Sequence, residues 1–426
     1  MRLRASFVMI SLLLGAGPLF AQSTQSQGNH KLPFRVHGFL LDNNTVRTEG
    51  ADGKEGGPFL WADERLRLEI SNETAKGCLS FQFKGDLFHD AIANKPSGLV
   101  REAYLDCSRG RFDLRLGRQI VTWGLGDLLF INDVFPKDWS AFFSGRPVEY
   151  LKLGVDAAKL DVSTPALNAE LVVIPFFTAD TLPSPQRFFF FDPLANVSNR
   201  SLREPASTMG NTEYALRLYR RLAETDVSVY AYRGFWRDPS FRPGELPLPT
   251  RLQGFYPRLN TYGASAQRNV GAGLLSLEGG YYDSEDDRPG TDPAIPNSQF
   301  RFLAGYQRQV ANDFTVGGQY YTEIMKDYAS YKATLPSGFP PQDHVRHLLT
   351  VRLARMFKYQ TWKLSLFSFY SPSDQDALLI PEVWHAFTDR LGLTVGANVF
   401  EGRRSTTFFG QYHRDSNLYV AIQFSF

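Results

Sequence analysis

The chain has 426 residues, with 46 Lys and Arg against 44 Asp and Glu, for a net charge of +2. That balance gives no electrostatic case for nucleic acid as a partner. Hydrophobic residues make up 43% and aromatic residues 14%, yet no segment beyond the N-terminal stretch approaches the run of about 18 apolar residues that a spanning helix needs.

At the start, Arg2 and Arg4 precede the apolar stretch from Phe7 to Phe20, which Gly15, Gly17 and Pro18 interrupt. Leu-Phe-Ala at 19–21 is an acceptable cleavage site, so residues 1–21 read as a secretory signal peptide cut after Ala21. Residues 22–32 form a polar leader. No Pro/Gly/Ser linker divides 33–426, which reads as one unit of repeated β-strands.

Strands are expected near 33–42, 60–70, 78–88, 99–107, 111–122 and 148–158. Each alternates with period two, which gives a strand two faces with different surroundings. In the second, Ala62, Leu66, Leu68 and Ile70 oppose Asp63, Arg65, Arg67 and Glu69. In the third, Leu79, Phe81 and Phe83 oppose Gln82, Lys84 and Asp86. In the fourth, Ala103 and Leu105 oppose Glu102, Tyr104 and Asp106. In the fifth, Phe112, Leu114 and Leu116 oppose Asp113 and Arg115. In the sixth, Leu151, Leu153 and Val155 oppose Lys152 and Asp156.

Further strands fall near 166–175, 211–221, 226–235, 258–268, 273–283, 299–309, 313–325, 344–355, 361–370, 379–388, 391–400 and 417–426. The total is about 18, with 16 as the alternative, and about ten residues each suits a tilted crossing of a bilayer. Short connections at 108–110, 223–225, 310–313, 358–360 and 388–390 alternate with long ones near 43–58, 123–147, 176–210, 236–257, 284–298, 326–343 and 401–416. A soluble sandwich has no reason to alternate in this way. The fold class is therefore all-β, a transmembrane antiparallel up-and-down β-barrel over 33–426. Trp61, Tyr281, Tyr282, Tyr320, Tyr321 and Trp362 sit near strand ends and suit interfacial girdles. Cys78 and Cys107 lie near the same end of neighbouring strands, with a bridge and two unpaired thiols both open.

Side chains alone cannot fill a barrel of this size. Arg65, Arg67, Lys84, Glu102, Asp106, Arg115, Lys152 and Asp156 are thus expected to line a lumen. They can act as a hydrated, charged wall or as a network of cross-strand pairs. The segment from Gly124 to Pro147 is far more apolar than the other long connections. It is expected to fold inward and narrow the passage. Gly117 can host a bulge that turns Arg118 inward to clamp this loop, with Asp127 or Asp133 as its partner and Trp123 as apolar anchor. No G-x-S-x-G, H-E-x-x-H or paired C-x-x-C motif occurs, and no catalytic residue, metal site or cofactor is expected.

The last strand places Leu418, Val420, Ile422, Phe424 and Phe426 on one face. An apolar face ending in phenylalanine resembles the closing strand of bacterial outer-membrane barrels. That resemblance makes Phe424 and Phe426 the candidate signal for the barrel-assembly machinery. Two further stretches carry a family resemblance. They are Gly117-Arg118-Gln119-Ile120-Val121-Thr122-Trp123-Gly124 with the following N-D-V-F-P-K-D, and Phe408-Phe409-Gly410-Gln411 with Asn417-Leu418-Tyr419 and Phe426. They look like a widespread family of poorly characterised proteobacterial outer-membrane porin-like proteins. More loosely they resemble alginate-export-type barrels of about 18 strands. The resemblance implies a Gram-negative outer-membrane location among lipids and lipopolysaccharide. It implies a channel for a small or hydrophobic solute. An outer-membrane component of an export system with periplasmic or inner-membrane partners, and a barrel displaying adhesive loops, are the alternatives.

Overall fold

A computed structural model describes residues 34–73, 79–244 and 249–426. The signal peptide, the polar leader and Cys78, one half of the possible bridge to Cys107, lie outside the described residues.

The first seven strands are β1 Arg35–Arg47, β2 Phe59–Glu73, β3 Leu79–Asp90, β4 Lys95–Arg109, β5 Phe112–Gln119, β6 Val155–Ser163 and β7 Asn168–Ile174. Then come β8 Asn199–Leu202, β9 Glu213–Leu222, β10 Thr225–Phe235, β11 Ser240–Pro243, β12 Arg251–Phe255, β13 Arg258–Val270 and β14 Gly273–Ser284. The last are β15 Gln299–Ala311, β16 Phe314–Met325, β17 Val345–Phe357, β18 Trp362–Ser371, β19 Asp376–Ala386, β20 Leu391–Gly402 and β21 Asn417–Ser425.

Eighteen of these pair antiparallel with their neighbours, and β21 returns to pair with β1, closing the barrel. The count is 18 rather than 16. Beyond the last ladder pair, Phe426 and Gly38 exchange both backbone hydrogen bonds, at 2.9 and 3.1 Å. Closure leaves no strand edge to satisfy. The remaining three strands form a small separate sheet within the long connections, β12 pairing parallel with β8 and antiparallel with β11. This sheet has no counterpart in the sequence reading.

Period two sorts the wall. Leu114, Leu116 and Leu418 are exposed on the outer face, while Arg65, Asp86 and Tyr419 are buried inside. Tight turns at the end bearing Arg35 and Phe426 use left-handed residues, among them Gly110, Ala223, Gly271 and Asp313. The long connections gather at the opposite end.

The sixth strand differs from expectation. Residues 148–151 form a 3₁₀ turn with Tyr150 and Leu151 buried, and β6 starts only at Val155. Val155 is fully buried inside, so its expected outward orientation is reversed. The adjacent tyrosines are corrected by the same alternation. Tyr320 is exposed outside, whereas Tyr282 and Tyr321 are buried inside and join no outer girdle. Trp61, on the face of Asp63 and Arg65, also turns inward, bonding Asp63 at 3.0 Å.

Candidate functional site: the barrel lumen

The charged wall of β2–β5 divides into a sealed part and an accessible part. Arg65 is held by Asp63 at 2.7 Å and Asp86 at 2.9 Å. Arg67 takes Asp86, Glu149 at 2.8 Å and the Tyr150 hydroxyl at 3.0 Å. The guanidiniums of Arg65, Arg67 and Arg101 also lie against the Tyr150 ring. Both Arg65 and Arg67 are only 1% exposed. Neither is open to the lumen. Lower on the wall, Lys84 sits between Glu69 and Glu102 at 3.6 and 3.4 Å. Arg115 forks onto Asp106 at 2.7 and 2.9 Å, above the Tyr104 ring. These side chains keep partial access to the lumen.

The segment between β5 and β6, residues 120–154, crosses the lumen. Trp123 is buried, donates to Glu170 on β7 at 3.0 Å, and packs on Phe135 and Tyr230. The chain then crosses to the far wall. There Glu278 on β14 accepts from the backbone N–H of Leu125 at 2.7 Å, Gly126 at 3.2 Å and Asn132 at 2.9 Å, and from the Asn132 side chain at 2.9 Å. Gln319 on β16 bonds both ways with the Asp127 backbone, and Arg352 on β17 pairs with the Asp127 carboxylate at 2.6 Å. Gly124 has φ +81°, and a Cβ there would stand 2.7 Å from the Glu278 carboxylate. Glycine is needed for both reasons.

Helix α1, Trp139–Phe143, follows, capped by the Asp138 carboxylate, which accepts from Ala141 N–H at 2.8 Å. The Phe143 carbonyl accepts from Asn398 and Asn417 at 3.0 and 3.1 Å, and Thr45 donates to the Ser144 carbonyl at 2.7 Å. The segment thus runs from β7 across to β17 and round to β1 before returning by way of Tyr150. Its apolar side chains, including Leu129, Ile131, Val134, Phe142 and Phe143, form the main core with the inner wall. Each large side chain so buried contributes roughly 1.5–3 kcal/mol, which is why the loop does not stand out in water.

Three expected site residues, Arg118, Asp156 and Lys152, sit elsewhere than foreseen, and Asp127 and Asp133 have other partners. Arg118 does not clamp the loop. The register sets it opposite Ala103 and Asp156, on the face of β5 that carries Leu114 and Leu116. It forks onto Asp156 at 3.0 and 2.6 Å. Asp156 is therefore an outer-face residue and not part of the lumen. Gly117 does take a left-handed φ of +127°, but the ladder passes through it without a shift, so the side-chain sequence is not inverted. Lys152 lies on the return arm of the loop and not on a strand, bonding Asp133 at 2.8 Å and Thr122 at 2.9 Å. Asp133 also holds Lys137 at 3.0 Å, so neither Asp127 nor Asp133 is a partner of Arg118. The residues that hold the crossing loop, Glu278, Gln319 and Arg352, were missed. A signal existed for Glu278: it is a carboxylate set among the Leu, Ser and Gly residues of 273–280, beside Gly279 and Gly280.

Above the crossing segment lies a chamber of about 420 Å³. The loop contributes Phe130, Trp139 and Phe142, the wall Tyr282, Arg301, Tyr321, Arg346 and Phe369, and the connections Asp180, Arg237, Asp238, Phe409 and Tyr412. Arg237 forks onto Glu213 at 3.0 and 2.6 Å. Glu323 lies 3.7 Å from Arg301 and 3.6 Å from Arg346, and Arg346 also takes Asp374 at 2.6 Å. Asp180 accepts from the Lys137 backbone and the Trp139 indole, both at 2.8 Å.

No family model matches the chain, and no curated protein matches it in sequence. Solved structures match in fold. Pseudomonas aeruginosa OccK2 (OpdF), solved in complex with glucuronate, gives a TM-score of 0.57 at 10% identity, covering 92% of this chain and 97% of its own. P. aeruginosa OccD3 (OpdP) gives 0.55 at 8%, covering 92% and 91%. Acinetobacter baumannii OccAB3 gives 0.54 at 10%, covering 92% and 99%. Identities this low carry architecture alone: the chain has the fold of the Occ barrels it resembles, a closed antiparallel β-barrel of 18 strands.

Proposed function

We propose that this chain is an outer-membrane channel in which solute passes through a lumen narrowed by the 120–154 loop. The observation that carries this reading is the loop's circuit of the inner wall, which leaves a chamber on one side and partly accessible charges on β3–β5 on the other. A structural or display barrel has no use for a lumen partitioned in this way. The outer-membrane location is supported by the apolar outer face, by the likeness to the Occ barrels and by the export signal read at 1–21. In this reading, lipids and lipopolysaccharide surround the wall, and the assembly machinery engages the terminal strand through Phe424 and Phe426.

Reconstitution of the mature protein into planar bilayers tests the proposal. Discrete conductance steps are expected. A protein that folds in the bilayer but passes no current would exclude an open channel. A second reading, export of hydrophobic cargo, draws on the aromatic lining of the chamber and on the porin-like and alginate-export resemblances of the motifs at 117–124 and 408–411. In cells, accumulation of cargo inside a deletion strain would favour export, and loss of uptake would favour the channel.

A further inference from the structure

Among the described residues, the chamber above the crossing loop contains one charged side chain with neither a hydrogen bond nor an ion pair. Arg237 is held by Glu213, Arg301 and Arg346 share Glu323, and Lys137 is held by Asp133. Asp180 accepts two N–H groups. Among the described residues lining the chamber, Asp238 is the charged group that makes neither a hydrogen bond nor an ion pair. It is exposed, where most of the others are buried or half-buried. With the outside partners Lys152, Glu213 and Asp374 counted, this wall carries one more carboxylate than cation.

The rings divide in a related way. The protein places its own cations over Phe130, Phe235, Trp236, Tyr282 and Phe408. Among the described residues, none stands over Trp139, Phe142, Phe369 or Phe409, whose rings touch one after another, or over Tyr412, which joins them through Phe143. A ring face carries negative potential and attracts an alkylammonium group, most strongly where water is excluded. An uncompensated carboxylate beside such a surface in a cavity of this size suits a small organic cation.

We propose that the chamber binds an organic cation with an apolar body, its ammonium group against Asp238 and its body against the aromatic wall. This deepens the channel reading by naming the class of solute that pauses in the lumen. An anion would find its counter-charges already committed to Glu213, Glu323 and Asp374.

A pH dependence follows. Asp238 is open to the chamber, but the protein packed around that chamber makes its charge costlier than in free water, and Asp180 faces it with like charge. Together these push its pKa up to about 7, with Arg301 acting in the opposite direction. Tyr256 and Tyr412 also face it and are neutral in this range. A raised carboxyl pKa leaves the group neutral below about pH 7. Cation binding is therefore strong above that value and lost below it.

The test uses the mature protein in nonionic detergent, with indole fluorescence and calorimetry as readouts. The probes are benzyltrimethylammonium, benzenesulfonate and benzyl alcohol. Benzyltrimethylammonium is expected to bind best at pH 8.5 and to weaken at pH 5.5. Asp238→Asn is expected to weaken it by about tenfold at pH 8.5, the effect of one modest charge interaction, and to remove the pH dependence. Benzyl alcohol should bind the two proteins equally. Asp238 touches no structural partner, so the variant should keep its heat-modifiable barrel. Tighter binding of benzenesulfonate, or unchanged cation affinity in Asp238→Asn, would overturn the proposal. Loss of conductance with binding intact would count against the channel and leave this site standing.

Discussion

Asp86 shows how much one carboxylate can hold. It serves Arg65 and Arg67 together, with all three side chains 1% exposed or less. Removing one member of a buried ion cluster leaves uncompensated charge. Asp86→Ala is therefore expected to cost roughly 3–5 kcal/mol, read as a lower denaturant midpoint in detergent. Lys84→Ala, in a more accessible pair, should cost at most about 1 kcal/mol. Glu278 has a different role, accepting from two points on the outgoing part of the crossing loop, Leu125 and Asn132. Glu278→Gln loses the charge on that acceptor and turns half of the side chain into a donor facing other donors. The expected outcome is a loosened loop, seen as altered conductance or added open-channel noise, with normal barrel assembly. Unchanged single-channel traces would mean that Gln319 and Arg352 suffice to hold it.

At the scale of the strand, β6 carries the clearest lesson. Leu151, Leu153 and Val155 against Lys152 and Asp156 looked like an outer and an inner face. Alternation tells only that two faces differ, and a slip of one residue exchanges them. Here the inner face begins apolar, because the loop brings its own apolar side chains into the lumen. Val155 and Ala157 join that core. Asp156 is left outside, where Arg118 on β5 neutralises it. The register of Leu160 with Leu114 and of Lys159 with Arg115 fixes which side is which. Leu160→Arg places a cation on the outer face and should cost roughly 2–4 kcal/mol if near the bilayer midplane, while Lys159→Arg should be mild. Folding yields in lipid vesicles check both. If Lys159→Arg were the more damaging, the assignment of faces in β6 would be reversed.

For the molecule as a whole, closure depends on the contact of the last residue with the first strand. Phe426 completes the β1–β21 seam through Gly38, and its ring lies where a Cβ on Gly38 would stand, within 2.7 Å. Deleting Phe426 removes two backbone hydrogen bonds and the ring that covers the glycine, together with the terminal aromatic expected to be read during assembly. Heat-modifiable protein in the outer membrane is expected to fall sharply. Normal levels would show that the seam closes without this residue. Gly38→Ala should weaken the same seam, because its Cβ would crowd the ring and the Arg67 carbonyl.

Much of the architecture was legible in the chain because it is written locally. Period-two alternation, strands of similar length and connections of alternating length are properties of short windows, and they led to a closed barrel of 18 strands with the correct outer face on β2, β5 and β21. The apolar character of 124–147 likewise marked a segment that water would not hold. The path of that segment was not legible. Leu125 meets Glu278 across 153 positions of sequence, and Asp127 chooses Arg352 over Arg118 because the loop reaches the far wall before it turns. Such pairings depend on which side chains the closed wall brings face to face. Only the tertiary structure decided that Arg65 and Arg67 are sealed, that Arg118 turns outward, and that Asp238 stands unpaired above the loop.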